Sequence, residues 1–262
     1  MISIKWKIKE HKELNEGFRM LKINNRHSYM KDIFFRDYRK NMYKIWKDLP
    51  QKILNFEGIK ISEKISAEVF REIFIEKIYF VNGFLPNEND VVIDIGAYYG
   101  DSALWWAKKF GAKVYAFEPL PDVYEILVEN IKLNNLENKI IPFNFAIGSS
   151  NSLDFSIDHD MMTKSKNGLR IKPKKLDEFQ FEKVDFIKID VEGFEKEVLE
   201  GAKNTIEKYN PKIILEVHSR DLMNECIDYL KNFNYNVKFY GRKTKNEKMD
   251  LVQNLFLEKI SN

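Results

Sequence analysis

The stretch Val91–Ser102, VVIDIGAYYGDS, constrains this chain more than any other. A β-branched run reaches Asp94, a glycine turn follows, and a helical apolar pattern begins near Ser102. A second apolar run, VYAFEP, then ends on an acid at Glu118. Strand, tight turn, helix and acidic strand end are the opening parts of a βαβ unit that holds an adenosine-type ligand. The turn admits the ligand to the backbone, and the second acid can accept hydrogen bonds from both ribose hydroxyls.

The glycine spacing separates ligand classes. A dinucleotide needs G-x-G-x-x-G, which seats a pyrophosphate on the helix N-terminus. Here Ala97, Tyr98 and Tyr99 stand between Gly96 and Gly100. No Lys-Ser/Thr pair follows, which excludes the GxxxxGKS/T phosphate loop. A carboxylate at Asp94 would repel a phosphate but suits an amino group. The pattern points to S-adenosylmethionine, which carries an ammonium, a sulfonium and a ribose but no phosphate. Asp94 and Ser102 could instead simply cap the turn and the helix. Glu118 stands where the cofactor reading needs it.

With 262 residues the chain is long enough for one α/β domain and an appendage. Its single cysteine, Cys226, excludes an internal disulfide and a cysteine-rich zinc site. No segment approaches a membrane span. The N-terminus, MISIKWKIKEHKE, is broken by lysines and lacks a secretory apolar core. The expectation is a soluble cytoplasmic protein. Residues 1–50 hold thirteen basic and six acidic side chains, a surplus of +7 against a whole-chain charge of +3, so the remainder sums to −4. That basic, aromatic front suits an acidic substrate, an anionic lipid surface or nucleic acid, or simply a solvated helical face.

Residues 1–88 carry apolar side chains at three- and four-residue steps and predict a helical appendage. Ile65–Phe80 is one such helix. Pro86 and the polar run to Asp90 end it. From residue 89 to 262 strands and helices alternate: VVIDIG, SALWWAKKFG, VYAFEP, PDVYEILVENIKLNN, KIIPFNFAIG, VDFIKIDVEG, EKEVLEGAKNTIEKY, PKIILEVH, RDLMNECIDYLKNF, YNVKFYG and QNLFLEKI. Repeated βαβ predicts an α/β, Rossmann-like fold with a mostly parallel sheet and helices on both faces. Residues 152–179 break the alternation and read as an inserted hairpin around Ser165–Gly168. Ligands on such sheets bind beyond the carboxyl ends of the strands. Asp94, Glu118, Asp190, Glu192 and His218 all fall at such ends.

The motifs then resemble a known family. EP-x-P followed by NxxLN, FAIG, LDEF, KIDVEGFExxVLxGA and ILEVH stand in the order found in FkbM-type methyltransferases. The resemblance covers about residues 90–240 and leaves the appendage unmatched. It implies a class I S-adenosylmethionine-dependent methyltransferase fold, with a seven-stranded sheet whose last strand is antiparallel. It also implies methyl transfer to a hydroxyl of a sugar, polyketide or other small acceptor. On the matching residues, Asp94, Gly96, Ala97 and Gly100 would surround the methionine part and Ser102 would bind its carboxylate. Glu118 would hold the ribose and Pro119 would shape the adenine pocket. Asn144, Phe145 and Ala146 would flank the adenine. Asp190 and Glu192 would lie beside the methyl group and the acceptor. Tyr98 and Tyr99 receive no fixed role.

His218 is the leading candidate for general base, since an imidazole titrates near neutrality. Asp190 and Glu192 compete with it if burial raises a carboxyl pKa. Glu192 could equally serve as a charge at a helix N-terminus. Asp190, Glu192, Glu216 and His218 could also hold one divalent ion, but the spacing does not compel one and no metal is assigned. His11, His27 and His159 read as exposed or structural. Of Trp105 and Trp106, one is expected in the core and one at the cleft. The basic run Lys164–Lys175 suits an anionic acceptor or a lysine-guarded strand edge.

The reading is an O-methyltransferase acting on a carbohydrate, glycolipid or other small hydroxyl acceptor, its appendage helping to cover the site. Peripheral membrane contact is compatible with the basic front. A nucleic-acid methyltransferase is the alternative on this fold, disfavoured because no NPPY-like motif follows the third or fourth strand. The others are a non-catalytic cofactor-binding protein and an NAD-dependent oxidoreductase. The intact acidic set disfavours the former and the glycine spacing the latter.

Overall fold

The structure is a computed structural model and describes residues 54–56, 58–62, 73, 77–149, 155–158, 161–163, 169–246 and 249–260. The basic front with His11 and His27, most of the Ile65–Phe80 helix, and His159 lie outside them. By packing, the chain divides into Met1–Pro50 and Gln51–Asn262.

The second unit is built on a seven-stranded sheet. Its strands are β3 (Val91–Ile95), β4 (Lys113–Phe117), β5 (Ile140–Phe143), β9 (Phe186–Ile189), β10 (Lys212–Val217), β11 (Tyr235–Asn246) and β12 (Met249–Lys259). The spatial order is β11-β12-β10-β9-β3-β4-β5. Neighbours from β10 to β5 pair in parallel. β12 runs antiparallel to both β10 and β11. The chain steps outward from β3 through β4 to β5, then returns to β9 on the other side of β3. That reversal of direction opens a crevice beyond the carboxyl ends of β3 and β9.

Period-two alternation divides the core between the two faces. Val92, Val114 and Ala116 pack with α1 (Asp101–Phe110) and α2 (Pro121–Leu133). Ile93, Ile95, Phe117, Ile187 and Ile189 pack with α3 (Glu195–Gly201), α4 (Lys203–Tyr209) and α5 (Arg220–Lys231). Helix ends follow local chemistry. Gly111 in the left-handed region (φ 72°) stops α1, and Pro121 opens α2 with its φ preset. The Ser219 side chain accepts from Leu222 N and caps α5. Trp105 and Trp106 are both buried, where a core position was expected for one of them.

The packing begins earlier than the sequence boundary at 88. β1 (Leu54–Phe56) and β2 (Ile59–Ile61) form a small hairpin. Ile59, Ile61, Tyr79 and Phe84 join the α1–α2 side of the core. Two asparagines of NxxLN, one helical turn apart, dock this segment. Asn130 accepts from Ser62 N and donates to Tyr99 O, both at 2.8 Å. Asn134 accepts from Lys60 N at 2.8 Å and donates to Lys60 O at 2.7 Å.

The inserted region holds three short strands where two were expected: β6 (Phe155–Asp158), β7 (Met161–Thr163) and β8 (Leu169–Ile171). β6 is central and pairs antiparallel with both others. No helix among the described residues is long and apolar enough to cross a membrane.

Candidate active site

The glycine turn is fixed by what lies behind it. Gly96 (φ 77°) carries no side chain because a Cβ there would sit 1.8 Å from the Asp190 carbonyl oxygen at the end of β9. Gly96 N and Ala97 N both donate to Phe117 O at 3.0 Å, tying the turn to β4. Gly100 (φ 90°) precedes α1, and a Cβ there would meet Leu127 at 2.6 Å. Tyr98, between them, holds a left-handed φ of 50°.

Glu118 closes this turn from the next strand. Its carboxylate accepts from Tyr98 N at 3.0 Å and from Leu120 N at 2.9 Å. Burial pushes its carboxyl up to about 7, against the pull of those two donors and of Lys188. Asn144 follows β5 and donates to Glu118 O at 2.8 Å and Pro119 O at 3.1 Å. Phe145 stacks under the Lys174 ammonium, 3.6 Å from the ring centroid. Ala146 is buried, and its carbonyl accepts from Lys174 N.

Asp94 and Ser102 face each other. The Ser102 hydroxyl donates to Asp94 Oδ2 at 2.6 Å, and both side chains are fully buried. Asp94 Oδ1 pairs with Lys188 Nζ at 3.2 Å. Burial raises the Asp94 carboxyl, while Lys188 and Ser102 pull it down.

Lys188 had no place in the sequence reading. It sits within β9, all four of whose residues are buried. Its ammonium donates to Gly96 O at 2.7 Å and lies 3.6 Å from Asp190 Oδ2. Burial works against its charge, but Asp94, Asp190 and Asp101 outweigh that and raise its pKa. One buried cation thus joins the glycine turn to the acids at the end of β9.

Those acids gather round His218 at the end of β10. His218 is 6% exposed, and its Nδ1 pairs with Glu195 Oε1 at 2.8 Å. Its Nε2 faces Glu192 Oε2 at 3.4 Å, Glu216 Oε1 at 3.8 Å and Asp190 Oδ1 at 3.9 Å. Burial opposes a charged ring, yet the Glu195 bond and the charges of Glu195, Asp190 and Glu192 push His218 up to about 10. Glu195 also escaped the sequence reading, since a glutamate opening a helix reads as a dipole partner. It is fully buried: Oε1 also accepts from Gly193 N at 3.0 Å, and Oε2 has no hydrogen-bond partner. Glu192 holds a left-handed φ of 53° that turns its side chain toward this cluster. Asp190, Glu192 and His218 each offer a ligand atom, all within 4.8 Å of one another.

Strand order, reversed final strand and glycine turn define a class I methyltransferase-type fold. Residues 94–237, more than half of the chain, match the Methyltransferase FkbM domain, and the chain belongs to that family. It is 32% identical over 143 residues to the hexuronic acid methyltransferase AglP of Haloferax volcanii, covering 50% of this chain and 57% of that protein. It is 32% identical over 105 residues to the tRNA (guanine(37)-N(1))-methyltransferase Trm5b of Methanocaldococcus jannaschii, covering 40% of this chain and 26% of that one. The chain therefore spans little more than half of the first relative and about a quarter of the second. The crystal structure of methyltransferase FkbM from Methylobacillus flagellatus shares the fold, with a TM-score of 0.51 and 22% identity over 68% of this chain and 46% of that one.

Proposed function

We propose that the protein is an S-adenosylmethionine-dependent O-methyltransferase whose acceptor is a sugar hydroxyl. The observation that carries this reading is the joining of two half-sites on one sheet edge. Lys188 links the turn that Glu118 closes to the Asp190–Glu192–His218 cluster. The donor set fits the cofactor. Each Glu118 oxygen takes one amide N–H and keeps a lone pair for a ribose hydroxyl. AglP, whose name states a hexuronic acid acceptor, supports the sugar.

The bound cofactor supplies a methyl group activated by its sulfonium. The protein's residues align the acceptor oxygen about 3 Å from that carbon and take the hydroxyl proton. Asp190 and Glu192 are assigned to take the proton, and His218, whose ring the surrounding carboxylates keep charged up to about 10, to orient the acceptor beside them. Glu118, Pro119 and Asn144 to Ala146 hold the nucleoside. Gly96, Ala97 and Gly100 line the methionine part, and Asp94 and Ser102 brace it from behind.

Calorimetric titration with S-adenosylhomocysteine tests the cofactor site. Micromolar binding by the wild type, lost or greatly weakened in Glu118→Ala, is expected. No binding by folded wild type would overturn the reading. Methyl transfer is then assayed on hexuronic-acid glycosides, neutral glycosides and tRNA. Transfer to tRNA alone would replace the sugar with the acceptor class of the Trm5b relative.

A further inference from the structure

We propose that the hydroxyl of Tyr79 binds the carboxylate of the cofactor's methionine part. A residue outside the matched family domain, which spans residues 94–237, thereby joins the cofactor site. The proposal rests on the methyltransferase reading.

Local turns set Tyr79 in place. Phe80 N donates to Lys77 O at 2.8 Å, Val81 N to Tyr79 O at 3.0 Å and Phe84 N to Val81 O at 2.9 Å. Phe84 pins the end of this segment edge-on to Phe256 of β12, with ring centroids 5.3 Å apart. The Tyr79 ring stacks on Trp106 of α1 at 5.9 Å and is 2% exposed. That packing does not call for a tyrosine. A phenylalanine would fill the same place without taking a polar atom out of water. The Tyr79 hydroxyl makes no hydrogen bond among the described residues, whereas the equally buried Tyr235 donates to Pro211 O at 2.7 Å. Nor is the Tyr79 oxygen sealed in, as the unpartnered Nε1 of Trp106 is. A buried phenol with an open, unpaired hydroxyl is aimed at something that binds there.

Its surroundings indicate which group that is. Burial, and then the charges of Asp190, Glu216, Asp101 and Asp94, hold the phenol well above its ordinary pKa, so it keeps its proton and serves as a donor. Asp94 and Asp101 bracket the glycine turn in the chain, and the Asp190 carbonyl lies against Gly96. The phenol thus shares its charged neighbours with the turn assigned to the methionine part. That end of the cofactor presents an ammonium and a carboxylate. The acids suit the ammonium, while the carboxylate needs hydrogen-bond donors. Ser102, the donor expected from the sequence, gives its only hydrogen to Asp94 Oδ2. The protonated Tyr79 hydroxyl supplies the missing donor and gains a charge-assisted bond in place of none.

Calorimetry on the full chain tests the assignment, with S-adenosylhomocysteine and its decarboxylated analogue, which keeps the ammonium and the nucleoside. Tyr79→Phe retains the stacked ring and breaks no bond, so its Tm without ligand should match or exceed that of wild type. Its affinity for S-adenosylhomocysteine should fall at least fivefold, while its affinity for the analogue stays within twofold of wild type. Tyr235→Phe, which does lose a bond, should lower Tm and leave both affinities unaltered. Unchanged S-adenosylhomocysteine affinity in Tyr79→Phe would overturn the proposal. So would an equal fall for both ligands, which marks a change of pocket shape rather than a lost bond to the carboxylate. An effect on acceptor KM alone would also overturn it, by moving the hydroxyl to the acceptor. No binding of either ligand by folded wild type refutes the cofactor reading itself, whereas wild-type binding with an unaffected Tyr79→Phe refutes only the role of Tyr79.

Discussion

Lys188 and Asp94 are register partners on the adjacent central strands β9 and β3, and their side chains meet as a buried ion pair at 3.2 Å. The carboxylate is fully buried and the lysine nearly so. Removing one member of such a pair strands the other charge, at a cost of about 3–5 kcal/mol. Lys188→Met should lose that much stability in urea unfolding. Adding Asp94→Leu should restore part of it, since neighbouring sites are not additive. A single variant within about 1 kcal/mol of wild type would show that the pair is not structurally required.

Glu118 predicts a pH dependence for the cofactor-free protein. Burial raises its folded value to about 7, while an unfolded glutamate titrates near about 4.3. The folded chain therefore binds the proton more tightly. The stability this contributes is complete below about pH 4.3 and is lost as pH rises through about 7. The Tm difference between Glu118→Gln and wild type should grow in favour of the variant from pH 5 to pH 8. A constant difference across that range would contradict the buried carboxyl.

Asn130 links the docked β2 segment to the glycine turn through Ser62 N and Tyr99 O. Asn130→Ala leaves an acceptor and a donor unpaired in a buried setting, each worth about 1–3 kcal/mol. Unfolding should register that loss. S-adenosylhomocysteine affinity should fall too, because the Tyr98–Tyr99 turn loses its support. Asn134, whose side chain among the described residues binds Lys60 and its own helix, should on replacement by Ala destabilise without that loss of affinity. Equal affinities in both variants would break the link to the turn.

The sheet was legible because its central strands are dominated by β-branched and aromatic residues, as strands covered on both faces are. Gly96 was legible because few other residue types serve at a close-approach turn, and Glu118 because an acid ending an apolar strand stands out in the sequence. Lys188 was not, since one lysine in a lysine-rich chain reads as solvent-facing. Its signal was position: between Ile187 and Ile189 in a strand buried on both faces, a lysine needs a carboxylate, and Asp94 and Asp190 were the candidates at strand ends. Glu195 hid for the opposite reason, because a helix N-terminus suits a glutamate even in water. The third strand of the inserted region escaped because three-residue strands such as Met161–Thr163 are too short to show an alternation.

Gly96 and Gly193 offer a contrast that separates space from backbone strain. Both hold positive φ, 77° and 107°. A Cβ on Gly96 would overlap the Asp190 carbonyl oxygen at 1.8 Å, and that atom belongs to the backbone and cannot swing away. A Cβ on Gly193 meets nothing within 4 Å. Gly193→Ala should therefore cost only the left-handed penalty of about 1–2 kcal/mol. Gly96→Ala must also push the turn off β9, pulling the Lys188–Gly96 bond and the Glu118–Tyr98 bond out of line. It should abolish S-adenosylhomocysteine binding while Gly193→Ala retains it. Retained binding in Gly96→Ala would mean that the turn yields where these distances say it cannot.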